Sequence, residues 1–142
     1  MTSTILTFPN TINPAVEGIS RNIKTMITKL SAEGIAVPEE IITELQDRLD
    51  VLRQKADAFT KIPQANNLLL LSKAIDDFAA SYYSRQSALL AKFTTLLVGK
   101  DEDQLREDRH IYIAPFEGVE LNLCNIRAVL KHIRSSDYSI SP

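Results

Sequence analysis

Apolar residues in this chain recur at alternating three- and four-residue steps over most of its length, the spacing of helices that bury one side. Val16, Ile19, Ile23, Met26 and Leu30 form the first such seam, widened by Ile27. Ahead of it, Asn13-Pro14 reads as a helix start: the Asn side chain can accept from a free backbone N–H, and proline's fixed φ suits the first helical position. The helix runs to about Glu33, Gly34 is placed to end it, and Pro38 with Glu39 and Glu40 opens the next. So short a connection predicts an antiparallel hairpin.

From Pro38 to about Ile62 the seam reads Ile42, Leu45, Leu49, Leu52, Ala56 and Phe59 in unbroken heptad alternation. Its polar faces set Glu44 before Arg48 and Asp57 before Lys61 at i,i+4, pairs worth only about 0.2–0.5 kcal/mol each. Pro63 interrupts the pattern, and a third helix is expected from Ala65 to Val98, closed by Gly99; at about 1.5 Å per residue it spans roughly 50 Å. This helix carries two seams about 100° apart. One is Leu68, Leu71, Ile75, Phe78, Tyr82, Leu89, Phe93 and Leu96; the other is Leu69, Ala80, Tyr83, Leu90 and Leu97.

Asp101 is positioned to cap a short helix over Glu102–Arg109, with Gln104 in the capping-box position. The next stretch, HIYIAPF, alternates β-branched and aromatic residues up to a proline and favours extended chain, and the N-terminal STILTFP has the same character. Residues 3–8 and 110–116 therefore suit either a small ribbon at one end of the bundle or two extended linkers packed on the core. A last helix, Glu117–Arg134, places Val119, Leu123, Ile126, Leu130 and Ile133 on a heptad seam. Lys131, His132 and Arg134 suit the negative end of its dipole. Residues 1–12 read as an N-terminal extension and 135–142 as a flexible tail. No internal repeat stands out. The expectation is all-α: an elongated antiparallel bundle of about four main helices, forming one domain over residues 1–142.

Composition supports a folded chain, with 44% apolar and 24% charged residues in 142. A net charge of -2 gives no global field that would draw the protein to nucleic acid, so no nucleic-acid partner is expected. One cysteine, Cys124, excludes an intramolecular disulfide. The N-terminus has neither the basic flank nor the apolar core of a signal peptide, which favours a cytoplasmic location. Ser87–Val98, the longest aliphatic stretch, contains Lys92 and falls well short of the roughly 20 apolar residues of a membrane span.

Chemical motifs are scarce. Gly99-Lys100 lacks the other glycines and the hydroxyl of a phosphate loop, and Asp101-Glu102-Asp103 has Arg106 where a calcium loop needs glycine. Cys124, His110 and His132 include no close ligand pair, and Cys124 beside the last seam is expected to behave as a small buried hydrophobe. Asp76-Asp77 and Glu39-Glu40 are helix neighbours that point about 100° apart and cannot flank one substrate atom together. No catalytic, cofactor or metal site is expected, and the chain does not read as an enzyme. The favoured reading is a noncatalytic helical interaction protein, such as an adaptor, chaperone, immunity protein or assembly subunit, that binds another protein or itself. Leu69, Tyr83, Leu90 and Leu97 of the second seam are its candidate interface. A soluble component of a membrane-acting, pore-forming assembly is the first alternative, and a small ligand-binding bundle the second.

Overall fold

Four helices make up nearly all of the chain: α1 (Thr2–Ala32), α2 (Glu39–Lys61), α3 (Ala65–Leu97) and α4 (Glu102–Ser135). The computed structural model describes the backbone of residues 2–135 and the side chains of residues 11–134. α1 packs most broadly on α4 and α2 on α3; α1 meets α2 over less area, and α3 meets α4 least. The helices therefore stand at four corners, with α1 diagonal to α3 and α2 diagonal to α4.

Cross-helix bonds fix the directions. Asn13 Nδ2 donates to Thr60 Oγ1 at 3.2 Å while Arg53 binds Glu17 at 2.7 Å, so α1 and α2 run antiparallel. Arg85 reaches Glu44 at 3.2 Å near the start of α2, and Asn67 donates to the Ile62 carbonyl at 2.7 Å near its end, which opposes α2 and α3. Asp76–Arg127 at 3.4 Å and the Ser72–Arg134 bond do the same for α3 and α4. The result is an up-down-up-down bundle of the expected class.

The seams close on one another in a single core. Every residue of the α1 seam is buried, and the seam reaches back to Ile12, which is fully enclosed. In α2 the first buried position is Ile41, with Ile42 only half-buried, so the seam starts one residue earlier than the heptad reading placed it. Leu68, Leu71, Ile75, Phe78, Tyr82, Leu89 and Phe93 bury the predicted face of α3, and Leu96 is half-buried at its end. Punctuation follows backbone chemistry. Gly34 and Gly99 take φ values of 77° and 84°, a region that a Cβ disfavours, and Asp101 Oδ1 accepts from the Gln104 N–H at 2.9 Å as the cap of α4.

The expected ribbon is absent. Residues 3–8 lie inside α1, so they form neither a strand nor an extension, and residues 110–116 lie inside an unbroken α4 that merges the two helices expected there. Tyr112 and Phe116 continue the α4 seam backwards at helical spacing, and this tertiary surface outweighs the local β preference of the segment. Pro115 should disrupt a helix interior because it removes the N–H that would bind the Ile111 carbonyl one turn earlier. That carbonyl is satisfied from another helix: Lys29 Nζ of α1 donates to Ile111 O at 2.9 Å. Asn13-Pro14, read as a start, sits within α1 with Asn13 bonded to Thr60 and Pro14 on the exposed side. Of the expected tail, Ser135 ends α4 and residues 136–142 lie outside the described residues.

The broad α1–α4 contact depends on two glycines. A Cβ on Gly18 would stand 2.7 Å from Asn122 Nδ2, and one on Gly118 would stand 2.4 Å from Asn22 Nδ2. Glycine and asparagine are one turn apart in both helices, within Glu17-Gly18-Ile19-Ser20-Arg21-Asn22 and Glu117-Gly118-Val119-Glu120-Leu121-Asn122. Antiparallel packing sets each glycine against the other helix's asparagine. This local two-fold match is the internal similarity that the search for longer repeats passed over.

Candidate interaction face

The second seam of α3 divides in the folded chain. Leu69 is 68% exposed and Tyr83 41%, whereas Leu90 packs against the core and Leu97 is half-buried. These four residues and Asp76 recur every seventh position and border α4. Asp76 pairs with Arg127, and Tyr83 donates from its hydroxyl to Glu120 Oε2 at 2.8 Å. Burial and then the bond to Glu120 push the Tyr83 hydroxyl above its ordinary pKa. Tyr82, one residue on, is fully buried with a hydroxyl that has no hydrogen-bond partner; burial first and the Glu120 charge second raise its pKa strongly. The edge of α3 nearest α4 is thus partly covered and polar.

The open face lies next to it. Ala80, Ser84, Ser87, Ala91, Thr94 and Val98 are all exposed and follow steps of four, three, four, three and four residues. They form a second heptad line on the solvent side of the helix, about 27 Å long at about 1.5 Å per residue. From Ala80 to the end of α3 every exposed position is uncharged, while the exposed positions of α2 include Glu39, Glu40, Asp47, Arg48, Asp50 and Asp57. Heptad scanning for large residues missed this line because its members are small. A search for uncharged positions at the same spacing finds it in the sequence.

Charge is concentrated beside this face. An open groove along α2 is lined by Glu39, Glu40, Glu44, Asp47 and Arg48. Arg85 of α3 holds Glu44 at its edge with bonds of 3.3 and 3.2 Å, and this pairing keeps the Glu44 carboxyl below the usual carboxylate range. Glu44 thus has a cross-helix partner in Arg85, and Asp57–Lys61 forms as the sequence suggests, at 3.0 Å.

Other candidates are scattered. Cys124 is exposed, because it stands one position round the helix from the buried Leu123. Asp76 faces solvent and Arg127 and is not drawn into the core. Among the described residues no three His, Cys, Asp or Glu side chains are placed to share a metal ion, and no helix is long and apolar enough to cross a membrane. Compared with known protein families, curated proteins and solved structures, the chain matches none.

Proposed function

We propose that this protein is a noncatalytic helical interaction protein that docks another protein, or a second copy of itself, through the outward face of α3. The observation that carries the reading is the uncharged exposed line Ala80, Ser84, Ser87, Ala91, Thr94 and Val98. A solvent-facing helix surface ordinarily carries charge, and small uncharged residues at heptad spacing let a second helix approach closely and interdigitate. Exposed Leu69 and Tyr83 add larger apolar surface towards α4, the kind of side chain that anchors interfaces.

The test uses solution mass over a concentration series and capture of partners from lysate, each with the wild-type chain and with Ala91→Arg. Ala91 is exposed, so the substitution should leave stability within about 0.5 kcal/mol. A self-associated species or a captured protein that Ala91→Arg removes is the expected result. A wild-type monomer at every concentration, together with identical capture by both chains, overturns the proposal.

A further inference from the structure

We propose that the first half of α4, Glu102–Ala114, is a strap that opens as a unit, hinged at Pro115 and latched by Lys29, while the rest of the bundle stays folded. This device is separate from the outward face of α3 and does not depend on its function.

Burial changes abruptly at the hinge. No residue from Glu102 to Ala114 is buried, whereas Pro115, Phe116, Val119, Leu123 and Ile126 are. Segments with few buried apolar contacts open at a lower free energy than the global fold. Pro115 also removes the helical hydrogen bond that would join its own residue to Ile111, so the backbone ladder is weakest at the point where burial begins.

What holds the strap is largely polar and comes from other elements. Lys29 Nζ caps the freed Ile111 carbonyl at 2.9 Å, Tyr112 donates to Glu33 Oε1 at 3.4 Å, and Asp108 pairs with Lys100. Its main ring contact is Tyr112 over Phe93, with centroids 5.2 Å apart. Beneath, Phe93 is 2% exposed and meets Phe116 edge-on at 5.6 Å. Opening uncovers one side of Phe93 while Phe116, beyond the hinge, keeps its place.

Lys29 is therefore the residue to change. Hydrogen exchange on the full chain should show amides 103–113 exchanging at least tenfold faster than those of 119–133. Lys29→Met should speed exchange in 103–113 several-fold further and leave 119–133 unchanged, and Lys29→Arg, which keeps a donor, should stay near wild type. Pro115→Ala restores the missing N–H and should slow exchange in the strap; if loss of the buried ring unfolds that variant, the two Lys29 variants decide the question. Equal protection of both halves in the wild type, or equal acceleration of both by Lys29→Met, overturns the proposal.

Discussion

Gly118→Ala probes the contact that sets how closely α1 and α4 approach. In an ordinary helix interior the added methyl stabilises by about 0.5–1 kcal/mol, since glycine loses more backbone freedom on folding than alanine. Here the new Cβ would lie 2.4, 2.6 and 2.7 Å from Nδ2, Oδ1 and Cγ of Asn22, so the whole amide has to move. Overpacking of this kind costs about 1–3 kcal/mol, which leaves a net loss of about 0.5–2 kcal/mol. Asn22→Ala removes the obstructing group. In that background Gly118→Ala should become stabilising by about 0.5–1 kcal/mol, for a coupling of about 1–3 kcal/mol between the two positions. Urea unfolding of the four chains, followed by far-ultraviolet circular dichroism, measures each term. The reasoning is refuted if Gly118→Ala stabilises the wild type, or if its effect is the same with and without the Asn22 amide. Gly18→Ala against Asn122 repeats the test at the other end, with a smaller effect because its nearest distance is 2.7 Å.

The other predictions concern the core and its edge. Tyr82→Phe removes a buried hydroxyl that has no partner, and should raise stability at neutral pH by about 1 kcal/mol; a loss larger than about 1 kcal/mol would show that the hydroxyl is bonded in solution. The raised pKa of Tyr82 means that the folded state holds its proton more tightly than the unfolded chain, so stability is full below the ordinary tyrosine value near 10 and falls as pH rises above it. Tyr82→Phe should flatten that alkaline decline without abolishing it, since Tyr83 and Tyr112 are shifted the same way. Leu52→Ala, at 0% exposure, should cost about 2–5 kcal/mol in urea unfolding. Leu69→Ala, at 68% exposure, should change stability by no more than about 0.5 kcal/mol, and comparable losses from both would contradict the assignment of inner and outer seams.

The candidate face was only partly legible before the fold was known. Periodicity places Leu69, Tyr83, Leu90 and Leu97 on one line, but it does not say which neighbouring helix covers that line. α4 covers the Leu90 part and leaves Leu69 exposed. The uncharged line from Ala80 to Val98 is visible in the residues themselves, yet its significance depends on knowing that this side of α3 meets solvent. Cys124 illustrates the resolution of such reasoning: one residue from a buried seam is about 100° round the helix, enough to carry it from core to surface.

By itself the sequence determined the class of fold, most of the core and the turns. Heptad spacing, Gly34, Gly99 and the Asp101 cap act within a few residues, and helices respond to such local signals. Tertiary structure decided where those signals were overruled. Pro115 continues a helix because Lys29, distant in the chain, supplies the donor its carbonyl partner lacks, and Asn13 serves Thr60 in place of a helix end. The Gly18–Asn122 and Gly118–Asn22 contacts likewise exist only once α1 and α4 lie side by side. Local propensity amounts to tenths of a kcal/mol per residue, so burial of a continuous seam and one well-placed long-range hydrogen bond can outweigh it.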